Sequence, residues 1–248
     1  MRVCFIAVCY FIILNLSCKK EYSFEGGLPF VKCVNCSYLP FCDSSVFVYV
    51  NTTSNGIDTV TNIPRILGDT IINGNTFTKI SAVSFFNQGL LYNCDKWEYK
   101  VLFSTASLGL DLDSIKNALL QLIPVPIPPN LIQIPTEFQT TILKENAAVN
   151  ARWTDTIFSV SLPPLFTFFM GLEYTLKEKN VQRTVFQKSY NNVIHVRAEL
   201  KTVSTLGNLP LGFTIDYYFA RDVGFIEIQV TNNAVMALNS KLFSYKLR

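Results

Sequence analysis

From residue 45 to its C-terminus the chain is a succession of short runs rich in Val, Ile, Thr, Tyr and Phe, cut by small polar turns. No other feature restricts the fold as much. β-Branched and aromatic residues suit a pleated, half-buried surface, and short polar turns join antiparallel neighbours. Residues 46–50 read as a strand closed by Asn51-Thr52-Thr53-Ser54-Asn55-Gly56. Residues 58–67 follow, with Gly68-Asp69 as a turn. Asn73-Gly74 separates residues 70–72 from 77–80 and is the strongest short-range hairpin signal in the chain. Residues 90–93 and 97–103 make another hairpin with Cys94-Asp95-Lys96 at its tip. In the second half, strands are expected over 153–160, 172–179, 181–186, 190–203, 212–219, 224–230 and 242–247.

The expected fold is therefore mainly β: a large curved antiparallel sheet, half-barrel or β-sandwich-like. A faint repeat relates 45–104 to 153–247, with Asp58-Thr59 recurring as Asp155-Thr156, and suggests two related lobes with a weak seam near 145–152. Any two β-meanders share that much, so an undivided sheet is the alternative.

Two segments break the pattern. Residues 111–122 carry Leu112, Ile115, Leu119 and Leu122 at near-helical spacing and predict one short amphipathic helix. The chain then runs through Pro124, Pro126, Pro128, Pro129 and Pro135, which forbid a helix and favour an extended path. Residues 162–170 form the second apolar, Pro-containing segment. Both are interrupted by prolines and too short to cross a bilayer as helices.

The N-terminus has a different character. Arg2 precedes an uncharged run from Val3 to Ser17, and Cys18-Lys19-Lys20-Glu21 follows at once. A basic start, a short apolar stretch and a small residue before the cut are the marks of an export signal. With Leu16-Ser17-Cys18 the segment resembles a bacterial lipoprotein signal, although Asn15 stands where such signals favour an apolar residue. An ordinary signal peptide is the rival reading. The resemblance implies removal of residues 1–17 and acylation of Cys18. Cys18 to Gly27 is similar to the start of lipoproteins of Bacteroidetes-type bacteria, which implies an outer-membrane or cell-surface address with the membrane as partner. The periplasmic face stays open, because Lys20-Glu21 matches a surface-export signal only in part. Residues 18–32, with Gly26-Gly27 and Pro29, read as a flexible tether, and 33–248 as a single β-rich domain.

Cys33, Cys36, Cys42 and Cys94 remain once the signal and the lipidated cysteine are set aside. An even number in an oxidising compartment reads as two disulfides with three connectivities. The expected pairing is Cys36 with Cys94 and Cys33 with Cys42. A four-thiolate zinc site is the rival, but such sites pair two Cys-x-x-Cys knuckles and Cys94 stands alone. Ser37 follows Cys36 where covalent haem attachment needs His.

Catalysis has little material. His195 is the single histidine. Strand alternation puts Ile194, Val196, Ala198 and Leu200 on an apolar face and leaves His195 with Arg197 and Glu199 on a solvent-facing one. There is no Gly-x-Ser-x-Gly elbow, no phosphate-binding glycine loop and no metal-ligand cluster. Asp111 and Asp113 read as helix caps. No cofactor, metal or catalytic residue is expected. A net charge of +3 without a basic cluster argues against nucleic acid.

The expected function is a non-enzymatic envelope protein that binds a lipophilic molecule or a protein partner. Its site would be the proline-rich apolar region, with Leu119, Leu122, Val125, Ile127, Leu131, Leu165, Phe166, Phe168 and Phe169 as candidates. Charged residues make up only 16% of the chain against ~25% in typical soluble domains, so apolar surface is plentiful. At the level of fold the chain is similar to half-barrel lipoprotein carriers of bacterial envelopes. In the rival reading the same segments complete the core. Alternatives are a surface glycan-binding module, with Trp97, Trp153 and Tyr92 as candidate platforms that more readily fill the core, and a purely structural lipoprotein.

Overall fold

The computed structural model describes residues 33–34, 36–81, 89–104, 116–117, 120–121, 135–162, 166–205 and 212–247. All of them belong to one compact unit, Lys32–Arg248. The first strands are β1 (Cys33–Val34), β2 (Phe41–Cys42), β3 (Val46–Thr53), β4 (Gly56–Asn62) and β5 (Ile66–Ile72). Then come β6 (Asn75–Ile80), β7 (Leu90–Asp95), β8 (Glu98–Ser104), β9 (Glu137–Lys144) and β10 (Arg152–Leu162). The chain closes with β11 (Phe166–Val185), β12 (Lys188–Ser204), β13 (Phe213–Ala220), β14 (Gly224–Asn232) and β15 (Val235–Lys246). Lys116, Asn117, Leu120 and Gln121 are helical, and Leu120 packs on the main core.

The strands form two large antiparallel sheets and a small β1–β2 ribbon. One sheet has eight strands in the order β10-β11-β12-β13-β14-β15-β3-β4, and the other has five in the order β5-β6-β7-β8-β9. Neither closes into a barrel. The main core brings together Ile80, Tyr92, Val101 and Phe138 of the smaller sheet with Leu172, Val196, Tyr217 and Phe219 of the larger one. This is sandwich packing, in which the inward residues of each strand meet across the layers. Each fully buried aromatic, such as Phe77, Phe168 or Phe219, contributes roughly 1.5–3 kcal/mol through burial.

Two disulfides tie the N-terminal segment down. Cys33 and Cys42 face each other across the β1–β2 ribbon, with Cα atoms 4.0 Å apart. Cys36 joins Cys94 at the end of β7, with Cα atoms 6.3 Å apart. The four sulfurs are thus joined in pairs and do not converge on one point. Tyr92 adds a polar tie, donating its phenol to the Leu39 carbonyl at 2.7 Å.

The Asn73-Gly74 turn forms as expected, with φ of 50° and 77° at its two residues. Several other boundaries move. The run 58–67 divides into β4 and β5, because Pro64 stands between them and its carbonyl accepts from the Ser44 N–H. Gly68-Asp69 is not a turn; both residues lie inside β5 at a bulge, where Gly68 has φ 128°. The runs 172–179 and 181–186 are one strand, β11, bent by three register shifts between Leu176 and Arg183. β9 was not expected as a strand at all. The halves 45–104 and 153–247 do not map onto separate sheets, since β3 pairs with β15 and carries β4 into the second-half sheet. The expected seam near 145–152 falls on the connection from β9 to β10, residues 145–151, where Asn150 donates its N–H to the Leu176 carbonyl.

The bends in β11 make its far end curl over the neighbouring strands. Arg183 reaches Glu227 of β14, and Phe186, at the β11–β12 turn, touches Phe243 of β15. A second, smaller core fills the space beneath, built from Phe47, Tyr49, Val185, Tyr190, Val193, Tyr218, Ile226 and Leu242.

Candidate functional site

The β7–β8 hairpin turns through Lys96 and Trp97, with φ of 46° and 78°. The tip is therefore Lys96-Trp97, which shares only Lys96 with the expected Cys94-Asp95-Lys96. Two consecutive positive φ values are the mark of a two-residue turn that normally carries Asn-Gly. Each L residue with a bulky side chain in that region costs roughly 1–2 kcal/mol. Trp97 nevertheless leaves 54% of its surface in solvent. Backbone outliers of this kind cluster at functional sites.

The backbone of the turn is held from below. Glu145, just past the end of β9, donates its N–H to the Trp97 carbonyl at 2.8 Å. The Glu145 carboxylate accepts from the Tyr99 phenol at 3.1 Å. The Tyr99 oxygen in turn accepts the Tyr38 N–H at 3.2 Å. Burial, with the neighbouring Glu145 charge, raises the Tyr99 phenol well above its usual range, so it stays protonated and remains a donor. The Cys36–Cys94 disulfide lies alongside. Together Trp97, Lys96, Ser37, Tyr99, Glu145 and this disulfide border an open recess of about 280 Å³. It combines an exposed ring face with a carboxylate acceptor, an ammonium donor and a hydroxyl.

The other two aromatic candidates are structural. Tyr92 is completely buried. Trp153 is half-buried, stacks on Tyr174 with ring centres 5.5 Å apart, and donates its indole N–H to the Thr141 carbonyl at 2.6 Å. Trp97 was expected in the core, and the structure corrects this. It sits at the turn itself, where neither face of a strand pair can cover it.

His195 also departs from expectation. Ile194, Val196, Ala198 and Leu200 do face the main core. The opposite face is not open to solvent at His195, which is buried beneath the curl of β11. Its Nε2 meets the Asp216 carboxylate at 2.7 Å, its Nδ1 lies 3.7 Å from Glu178, and its ring stacks on Tyr218. Arg197 binds both oxygens of Asp216. Burial raises the Asp216 carboxyl, but the hydrogen bonds from His195 and Arg197 outweigh it and hold the group below its ordinary value. Both ring nitrogens of His195 thus face carboxylates, which hold the ring between Asp216 and Glu178.

Of the apolar candidates, Phe166 and Phe168 are fully buried in the main core and Phe169 is half-buried on β11. Leu119, Leu122, Val125, Ile127, Leu131 and Leu165 lie outside the described residues, as do the signal segment, Cys18 and the tether. An apolar recess between Leu39, Phe47, Tyr49 and Phe225 has a volume of about 10 Å³, room for one water at most. Among the described residues no group of three or more His, Cys, Asp or Glu side chains could hold a metal ion.

No protein-family model matches the chain, and no curated protein matches it. Two solved structures are similar in outline. One is a presumed lipoprotein of Parabacteroides distasonis, with 11% identity and a TM-score of 0.44. The other is a presumed exported protein with a YmcC-like fold from Bacteroides fragilis, with 8% identity and a TM-score of 0.38. Each alignment covers 86% of this chain and all of the other. At that distance neither likeness transfers a property to this chain.

Proposed function

We propose that this chain is a lipid-anchored protein of the bacterial envelope, carried at the outer membrane or cell surface, that binds a saccharide in the recess at Trp97 and catalyses no reaction. The anchor rests on the N-terminal sequence, where an apolar run ends at Leu16-Ser17-Cys18. The ligand class rests on one observation: the Trp97 indole stands in solvent on left-handed backbone beside the Glu145 carboxylate. A sugar ring presents an apolar C–H face to an indole and hydroxyls to acceptors and donors at its rim. Glu145, Ser37 and Lys96 supply those partners. The shallow, open form suits a ligand bound at a chain end or along an edge.

A lipophilic ligand is less well supported. Phe166 and Phe168 are already engaged in the core. The absence of a catalytic role rests on the geometry of His195, whose nitrogens are both turned to carboxylates.

The test is a glycan array probed with the purified mature chain, followed by titration of any hit against wild type and Trp97→Ala. A loss of at least about tenfold in affinity with an unchanged urea midpoint supports the recess as the site. Equal affinities for the two proteins, or no retained glycan, would sink it. Anchoring is read separately, by palmitate labelling of cells expressing the full chain with and without Cys18→Ala.

A further inference from the structure

The turn between β11 and β12 repeats the anomaly of Trp97 at a second place. Phe186 occupies that turn with φ 52° and is 48% exposed. Glycine or asparagine would adopt this backbone at less cost. Its ring packs edge-on against Phe243, at 5.6 Å, and Phe243 is itself 59% exposed. Phe243 sits at the bulge in β15, between the Leu242–Tyr49 and Ser244–Val48 pairs, which turns it outward from the sheet. Two phenyl rings thus touch each other in solvent.

Cations frame them. Lys188, two residues from Phe186, lies with its ammonium 3.8 Å over the Tyr245 ring and 5.4 Å over Tyr190. Lys246 is exposed at the end of β15. Among the described residues neither lysine has a carboxylate within ion-pair distance, whereas the nearby Glu227 is fully engaged by Arg183, Lys241 and Gln229. The patch is therefore apolar at its centre, with the Lys188 ammonium beside it and Lys246 on the other face of β15 at the same end of the strand.

The patch also lies where the chain enters the fold. Lys246 pairs with Val46, and Cys42, which is joined to Cys33, precedes Val46 by four residues. That is at most about 14 Å of extended chain. The segment between Cys18 and Cys33 reaches about 50 Å when fully extended.

We infer that Phe186 and Phe243, flanked by Lys188 and Lys246, form a bilayer-contact patch that seats the domain on anionic phospholipid headgroups. Aromatic rings partition into the headgroup–acyl boundary, and each lysine beside an anionic surface adds attraction that salt screens. Only the nearness of a bilayer rests on the proposed lipid anchor. The patch would supply the second attachment that a lipidated chain needs for a fixed orientation.

The mature chain carrying Cys18→Ser is floated with vesicles of phosphatidylethanolamine containing a quarter phosphatidylglycerol, and with phosphatidylcholine vesicles, at low and high salt. The expected result is binding to the anionic vesicles that falls about tenfold on the neutral ones and at high salt. Phe186→Asn with Phe243→Ser, and separately Lys188→Glu with Lys246→Glu, should each lower it by a similar factor while the urea midpoint holds. Absence of wild-type binding, or equal binding by both double variants, overturns the inference; a patch that meets a protein partner gives the first of these. The palmitate labelling described above keeps the two readings apart. A labelled Cys18 with no vesicle binding leaves the anchor and removes the patch, and vesicle binding by a chain that takes no label does the reverse.

Discussion

Arg183 donates two hydrogen bonds to a single oxygen of Glu227, at 2.8 and 2.6 Å, and its guanidinium lies 3.5 Å above the Tyr218 ring. Glu227 is only 2% exposed, so its charge depends on this partner and on Gln229 and Lys241 at its other oxygen. The pair fastens the bent end of β11 to β14. Replacing Arg183 with Ala leaves a buried carboxylate with weaker partners and should cost about 2–3 kcal/mol, less than a fully orphaned ion because Lys241 remains. Arg183→Ala with Glu227→Gln should recover part of the loss. Urea unfolding of the single and double variants measures both.

Acid should weaken the fold through Asp216. Its folded carboxyl is held below the value near 3.9 of an unfolded chain. A depressed carboxyl contributes stability that is complete above the unfolded value and disappears as pH falls through the folded one. Glu98, beside Lys144 and Lys100, and Glu199, beside Lys201, shift the same way and add to the slope. Asp216→Asn should therefore flatten the fall in stability below about pH 5. Urea midpoints across that range would show an unchanged slope if Asp216 carried no part of it.

The two disulfides should differ in worth. Cys36–Cys94 closes a span of 58 residues and Cys33–Cys42 a span of 9. Loop-closure entropy in the unfolded chain gives upper values of about 4 and about 2.5 kcal/mol. The Cys36→Ala, Cys94→Ala variant should unfold at lower urea than the Cys33→Ala, Cys42→Ala variant. It should also lose ligand, since that bridge borders the recess beside Trp97.

Restoring ordinary turn chemistry at the β7–β8 tip should make the protein more stable and less useful. Lys96→Asn with Trp97→Gly removes two bulky residues from left-handed backbone and should raise stability by about 1 kcal/mol. Thermal melting reads the gain, and glycan titration reads the expected loss of binding. A fall in stability would mean that Trp97 supports the fold in a way its exposure does not reveal.

The sequence disclosed the sheets better than it disclosed their curvature. Hydrophobic alternation placed Ile194, Val196, Ala198 and Leu200 on the core side, and the structure agrees. It left His195 in solvent because the register shifts that curl β11 over that face have no signature in period-two alternation. β9 escaped notice because Thr140 and Thr141 are buried within it. Thr140 bonds to Asp155 and Tyr174, and Thr141 donates its N–H to Asp155, so polar residues stand at core positions. Trp97 was misplaced because the hairpin tip is Lys96-Trp97 and not Cys94-Asp95-Lys96. Two exposed aromatics at positive φ cannot be read from composition, since the identity of a turn residue does not give its dihedral angles. The apolar, proline-containing stretches that stood out most in the sequence fall mainly outside the described residues, and the buried Phe166 and Phe168 belong to the core.

The pairing of Val46 with Lys246 sets the order in which the molecule can be completed. Ribosomes deliver the chain N-terminus first, so the β3–β4 hairpin must wait for β15 before it gains a neighbour. Until then β3 presents an unpaired edge, and contacts of such long sequence separation form slowly. The eight-stranded sheet is thus finished only once β15 has emerged. A polypeptide with that schedule stays threadable until β15 is made, and its dangerous interval, when a holdase chaperone would matter most, comes before that strand docks.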